Sequence, residues 1–302
     1  MELSTILSLG QTALELGLVC SLTVLALFLS YSMLNVCDLS TDGCFTLGAA
    51  VGAVVALAGH PWLSLGAAMA AGIISGFVVA VLQTRMGVNS LLAGIIVNTG
   101  LYSINIAVMG GSSMLNMNKT ETVFSIVKTA LNGTSLEGAY RLLVSGAAVI
   151  AALLILTLFL RTRLGLAIRA TGNNPDMVRS SSINPAFTTT VGLCIANAFT
   201  ALSGCLLAQS QKAVDINLGT GMVTIALASL LIGGTVMGRG GVFRRAVGVV
   251  LGAIIFRLVY TVALRFNMPA FMLKLVSSVI VVLAISIPYL KAQLPMLRRR
   301  MA

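Results

Sequence analysis

Charge is what this sequence lacks. Of its 302 residues only 9% are Asp, Glu, Lys or Arg, against 58% hydrophobic, and the mean hydropathy is +1.02. A soluble domain carries about a quarter charged residues because its surface faces water. This composition excludes such a domain and calls for an outer surface that faces lipid. Acid is scarcest, with 8 Asp and Glu against 19 Lys and Arg. The single histidine, His60, sits in a short turn beside Pro61, and Cys20, Cys37, Cys44, Cys194 and Cys205 lack metal-ligand spacing. No metal site and no catalytic nucleophile–base set can be drawn from this inventory, which sets aside an intramembrane enzyme. The cysteines read as small buried hydrophobes. The first apolar span has no basic stretch before it and no small-residue cleavage site, so it is not a signal peptide. Period-two alternation is missing too, which excludes a transmembrane barrel.

What is there is a succession of apolar runs. A helix needs roughly 20 such residues to cross the hydrocarbon core, and about nine candidate spans meet or approach that length. They lie near Leu14–Leu34, Phe45–Ala58, Leu63–Leu82, Leu91–Met109, Leu142–Leu160, Phe187–Ala208, Met222–Met237, Val247–Leu264 and Phe271–Tyr289. The second and seventh are short, as tilted or interrupted helices are. With no water in the bilayer core, helices satisfy the backbone. The fold class is therefore an all-α, polytopic helical bundle, read as one domain over residues 1–302.

The net charge of +11 raises nucleic acid as a partner. Its distribution argues otherwise, because the basic residues cluster between apolar spans. Arg161, Arg163, Arg169 and Arg179 share one loop; Arg239, Arg244 and Arg245 share another; Lys291 and Arg298, Arg299 and Arg300 mark the tail. By the positive-inside rule these regions are cytoplasmic, and even numbers of spans separate them. Counting back puts the Arg85 loop inside, and the N-terminus and the loop from about 110 to 139 outside. Trp62, Tyr140 and Tyr289 fall at span ends, where amphipathic rings favour the interface.

The cytoplasmic loop of about 161–185 is the most informative. Asn174 is a suitable N-cap, Pro175 suits the first helical position, and Asp176 complements the positive end of the dipole. That predicts a short helix from Pro175 to about Ser182, with Asn184-Pro185 opening the next span. Two readings stand: a docking element for a soluble partner, or a solvated basic loop. In the outer loop, Val123, Phe124, Val127 and Leu131 fit one helical face, predicting a helix lying on the outer leaflet or, alternatively, a docking surface. The sequons at Asn118 and Asn132 matter only where a secretory pathway glycosylates. Gly233-Gly234-Thr235-Val236-Met237-Gly238-Arg239-Gly240 has phosphate-loop glycine spacing, but Arg-Gly replaces the Lys-Ser/Thr, and nucleotide binding by this chain is rejected.

Inside the spans, polar residues are few. Asp42-Gly43 reads as the cap of the second span with Asp38 a turn residue; the alternative is an unwound break lining a pathway. Asn98 and Asn105 lie seven apart on one helix face, and Asn197 is deep in another span. These amides either glue helices together or line a hydrated route for a polar solute. Apart from Arg257, the later spans carry no Asp, Glu or Lys near mid-span, which argues against ion coupling. Small-residue pairs such as Gly48/Gly52, Gly72/Gly76 and Gly248/Gly252 permit close packing.

Several of these stretches resemble a known family. The motif Asp38-Leu-Ser-Thr-Asp42-Gly43-Cys-Phe-Thr-Leu-Gly48-Ala49-Ala50 looks like that of permeases from ABC importers of the branched-chain amino acid and ribose class. So do Leu91-Leu-Ala-Gly94-Ile-Ile, Leu101-Tyr102-Ser103-Ile104-Asn105, the Gly165–Asn184 loop, and Gly219-Thr-Gly221 followed by Gly233-Gly234-Thr235. The first two are similar to a subgroup linked to tryptophan or tyrosine uptake. The extra N-terminal span of ribose-type members has no counterpart here. The resemblance implies a homodimeric permease of the vitamin B12 importer-like (type II) fold in a bacterial cytoplasmic (inner) membrane. A partner ABC ATPase would carry ATP and Mg, this chain would bind no cofactor, and an extracytoplasmic substrate-binding protein would deliver cargo. It also implies that Arg169, Gly172, Asn174, Pro175, Asp176, Met177, Val178 and Arg179 form the coupling element. Asp38, Asp42, Asn98, Asn105 and Asn197 are the candidate pathway residues, and Lys212 and Arg265 candidate outer contacts. The cargo expected is an aromatic or branched-chain amino acid. A sugar or nucleoside is the alternative, and a stand-alone secondary transporter the rival from another class.

Overall fold

Small residues decide how these helices meet. In lipid there is little hydrophobic force between helices, so close backbone approach and buried hydrogen bonds hold them together. The computed structural model describes residues 3–133, 137–238 and 240–265, with 275, 278–283 and 286 beyond them. Along the chain run α1 (Leu3–Leu27), a π-helical turn (Phe28–Met33), α2 (Thr41–Leu57), α3 (Pro61–Thr84) and α4 (Ser90–Val108). The loop expected outside holds β1 (Met114–Asn116) and α5 (Val123–Ala130), and α6 (Tyr140–Phe159) follows. Next come α7 (Arg163–Asn173), α8 (Pro175–Ser180), α9 (Pro185–Gln211), β2 (Ala213–Asp215), α10 (Met222–Met237) and α11 (Val242–Arg265).

Among the described residues, 6 helices are long and apolar enough to cross a membrane: α1 with its π turn, α3, α4, α6, α9 and α11. The spans expected to be short are α2 and α10, apolar helices below that length. The last expected span, Phe271–Tyr289, lies largely outside the described residues, as do Tyr289 and the basic tail.

The 27-residue α9 is the axis of the bundle. On α2, a Cβ at Gly48 would run into the Ala201 carbonyl, and one at Gly52 into the Cys205 thiol. On α3, a Cβ at Gly72 would meet the Asn197 carbonyl, and one at Gly76 would lie 2.6 Å from the Leu193 carbonyl oxygen. Gly248 and Gly252 bring α11 against Gly233 and Ser229 of α10 in the same way. The outward faces are apolar: Ile74 on α3, Ile96 on α4, and Ile150, Ile155 and Leu158 on α6 are all exposed. Cys20, Cys44 and Cys205 are buried, and all five cysteines are free.

The outer loop is built into the bundle. β1 pairs antiparallel with β2, Leu115 opposite Val214. Thr122 caps α5 by accepting from the Ser125 N–H, and Val123 and Phe124 are buried. The Val123 N–H donates to Gln209 Oε1 of α9 at 2.9 Å. The helix expected on the outer leaflet is thus seated on protein, with Val127 and Leu131 only half-buried. Its apolar stripe was visible in sequence, but the buried Gln209 that holds it lies 86 positions away. Trp62 is exposed in the first turn of α3, and Tyr140 at the start of α6 is flanked by Lys128 and Arg141.

Candidate functional site

Residues 34–40 form a non-helical segment between the π turn and α2, with Asn35 in the left-handed region at φ 56°. Asp38 in this segment is buried, and its carboxylate accepts from the Ser40 N–H and from Asn197 Nδ2, each at 2.8 Å. Asn197 also donates to the Leu193 carbonyl at 3.3 Å. Because Asn197 lies near the middle of α9, Asp38 belongs to an unwound break buried at mid-bundle rather than to a surface turn. Irregular backbone survives at such depth only when enclosed by protein or lining a cavity.

Asp42 does not cap α2, the role its position suggested. Its carboxylate accepts from the Gly221 and Val223 N–H groups at 2.8 Å each and so caps α10 across the bundle. Thr46, one turn on, accepts from the Gly219 N–H at 3.1 Å. Gly221 sits at φ 86°, a backbone conformation glycine tolerates and larger residues resist. A Cβ at Gly219 would strike the Asp42 carbonyl, so the Gly-Thr-Gly turn can approach α2 only without side chains there.

Between α2, α4 and this turn lies a cleft of about 310 Å³, lined by Asp42, Thr46, Asn98, Tyr102, Asn105 and Asn217 among others. Asn105 donates to the Gly43 carbonyl at 3.1 Å, and its buried Oδ1 has no partner. Gly43 makes room for Asn98, whose Oδ1 would lie 2.6 Å from a Cβ at that position. The structure therefore brings Asp42, Asn98 and Asn105 to one polar cleft and holds Asp38 and Asn197 together in a separate buried cluster. Sequence reasoning missed Thr46, Tyr102, Asn217 and Thr220. Thr46 follows Asp42 by four residues, a helical-face signal that was legible. Asn217 and Thr220 reach the cleft through tertiary packing alone.

At the end of the bundle expected to face the cytoplasm, α8 spans Pro175–Ser180, two residues shorter than expected. Asn174 Oδ1 accepts from the Asp176 N–H at 3.0 Å and the Met177 N–H at 3.1 Å. Val178 is the one buried side chain of α8; Met177 is exposed, and Asp176 and Arg179 pair at 3.8 Å on its open face. Replacing Asn174 by alanine removes a cap worth about 1 kcal/mol. Hydrogen exchange over 175–180 should then accelerate about fivefold, with global melting unchanged. Sequence reasoning did not predict α7, although Thr162 caps it through the Gly165 N–H at 3.2 Å. Arg169 is half-buried on α7. Gly172 packs its backbone on the Met33 carbonyl and Leu34, where the π turn runs into the break. The end of α7, next to α8, is thus in direct contact with the segment that carries Asp38.

Lys212 is half-buried near Lys128 and Arg141 in a pocket beside α5, and the Arg265 side chain lies outside the described residues.

The model of the family described as "Branched-chain amino acid transport system / permease component" matches residues 11–285. A tyrosine transport system permease protein of Clostridioides difficile is 30% identical over 267 residues, 88% of this chain and 86% of that one. An uncharacterised protein of Rickettsia prowazekii is 34% identical, covering 74% of this chain and 75% of its own. The galactose/methyl galactoside import permease protein MglC of Haemophilus influenzae is 28% identical over 73% of this chain and 63% of its own. No solved structure matches the chain. A multi-pass helical bundle with a polar cleft within it, matched to that family over nearly its full length, belongs to the branched-chain amino acid transport system permease components: it is an ABC-type transport permease subunit.

Proposed function

We propose that the chain forms the translocation pathway of an importer in a bacterial cytoplasmic membrane, and that α8 with the end of α7 is its coupling element. Two copies, in the vitamin B12 importer-like arrangement, would stand on a pair of ABC ATPases that hold ATP and Mg, and a substrate-binding protein would deliver cargo from outside. The observation that carries this reading is α8 itself. It is a capped helix that buries one side chain and offers Met177, Asp176 and Arg179 outward on the basic, cytoplasmic side. Such a helix contributes little to this chain's own core, and its exposed charged face suits a soluble partner.

Force applied at α8 has a short route inward. α7 rests on Met33 and Leu34 through Gly172, the break follows, and Asp38 in the break holds Asn197 of α9. One turn later Asp42 holds the start of α10 beside the cleft. The cleft would be the polar waypoint for cargo: Asn98, Asn105 and Asn217 offer amides, Thr46 and Tyr102 hydroxyls. Its one carboxylate is already engaged by two backbone N–H groups. An aromatic or branched-chain amino acid is the leading cargo, supported by the family description and the tyrosine permease relative. A sugar is the second reading, favoured by the neutral lining and the MglC relative.

The test is a charge reversal, Asp176→Arg with Arg179→Asp, in proteoliposomes that contain the chain, the ATPase and the binding protein. Uptake and cargo-stimulated ATP hydrolysis should both fall at least about tenfold, the equivalent of 1.4 kcal/mol of coupling. Normal values for both would remove α8 from the coupling role. Cargo flux through the chain without any ATPase would remove the importer reading altogether.

A further inference from the structure

Arg257 is the one charge of α11 that stands away from a helix end. It lies eight residues before Arg265, about 12 Å along the axis at 1.5 Å per residue. A guanidinium at such depth needs an acceptor, and an intramembrane cation is rarely idle. Its Nε is buried with no partner, and its guanidinium stands 5.2 Å from the centre of the Tyr260 ring.

Among the described residues no acidic side chain pairs with Arg257. After Asp215 the sequence contains no Asp or Glu, so α10, α11 and everything beyond are free of acidic side chains. Across the seam on α1 the neighbour is Gly17, where a Cβ would lie 3.5 Å from the Arg257 Cβ. Glu15 is two residues from Gly17 and faces another way. It is engaged with Gln11 at 3.1 Å and Arg141 at 3.9 Å. Asp38 and Asp42 are committed to α9 and α10, and Asp176 lies on the cytoplasmic loop. Asp215 is in the outer ribbon, and Glu2, Glu121 and Glu137 belong to the N-terminus and outer loop.

The surface around Arg257 is the kind that faces acyl chains. Ile255, Leu258 and Val259 beside it are 36%, 37% and 45% exposed. An anion that reaches a half-buried guanidinium on an apolar seam comes most directly from the bilayer. We propose that Arg257 and Tyr260, on the seam between α1 and α11, form a binding site for the phosphate of an outer-leaflet phospholipid. An arginine can lay its aliphatic stem along apolar surface while its head meets a polar group. The planar fork meets two phosphate oxygens at once. Tyr260 supplies the amphipathic ring that favours the same level. Gly17 lets the α11 backbone close onto α1, with Ile254 Cα 3.1 Å from where a Cβ would stand, so Arg257 is rooted at the seam itself. This site is independent of the coupling role given to α8.

The experiment uses the purified full chain, delipidated in neutral detergent, with phosphatidylglycerol titrated back and bound lipid counted by native mass spectrometry. The wild type should bind the lipid, Arg257→Leu should bind it about tenfold more weakly, and Arg257→Lys should fall between them. Equal affinity in Arg257→Leu would overturn the site. So would displacement of the lipid by inorganic phosphate at equal concentration, or by free tyrosine, which would make this a cargo contact. Should Arg257→Leu fail to fold, a photoreactive phosphatidylglycerol on the wild-type chain decides. Labelling of α11 around residues 253–261 supports the proposal, and labelling elsewhere alone overturns it.

Discussion

Gly48→Val should all but abolish accumulation of the folded chain in the membrane. A Cβ at this position of α2 would overlap the backbone carbonyl of Ala201 on α9, where no side-chain rotation gives relief. The two helices would have to separate, and with them Gly52 from Cys205 and Phe45 from Gly204. Overpacking of this kind costs about 3 kcal/mol or more, and membrane helices have little hydrophobic attraction to offset it. Folded yield, read by size-exclusion fluorescence of a tagged chain, should drop at least about tenfold. Gly66→Val is the control: Gly66 is also a helical glycine, on α3, but a Cβ there meets nothing within 4 Å. Equal yield for the two variants would mean that α2 and α9 do not pack as described.

Asp42→Ala is the second large effect. The change strips the Gly221 and Val223 N–H groups of their acceptor at the start of α10, in a part-buried setting where water is a poor replacement. Each abandoned buried donor costs roughly 1–3 kcal/mol, and the lost charge at the helix start adds to it. A loss of about 3 kcal/mol in unfolding free energy is expected, along with near-complete loss of uptake, because α10 borders the cleft. Asp42→Asn keeps one acceptor and should restore about half of the stability. If Asp42→Ala melted and transported like the wild type, the cross-bundle cap would have no energetic weight.

Much of this architecture was legible in the chain, for physical reasons that differ from element to element. The spans were readable because lipid demands long apolar runs, and the shortness of α2 and α10 was already visible in Phe45–Ala58 and Met222–Met237. The small helix α8 was readable because Asn174-Pro175-Asp176 is a local instruction: the cap, the proline and the acid act within one turn. Asp42 shows where such reading stops. Asp-Gly at the head of an apolar run looks like a local cap, yet its carboxylate reaches α10, 179 positions away from Gly221. Asn105 and Asn197 were found as buried amides; that one opens on the cleft while the other clamps Asp38 follows from tertiary contacts alone. The β1–β2 ribbon was invisible because three-residue strands lie below any periodicity signal, and α7 because its mixed composition hid a stripe of Gly165, Ile168 and Thr171.

The ribbon between Met114–Asn116 and Ala213–Asp215 bears on how this protein varies and how it can be rebuilt. It stitches two segments almost a hundred residues apart in sequence into a single external plate, and the Met117 N–H bonded to the Lys212 carbonyl at 2.9 Å lengthens the seam. Chimeras that exchange only the 110–139 segment with a relative would therefore leave a torn edge. The graft that respects the molecule carries residues 213–217 with it, so that both edges of the plate come from one parent.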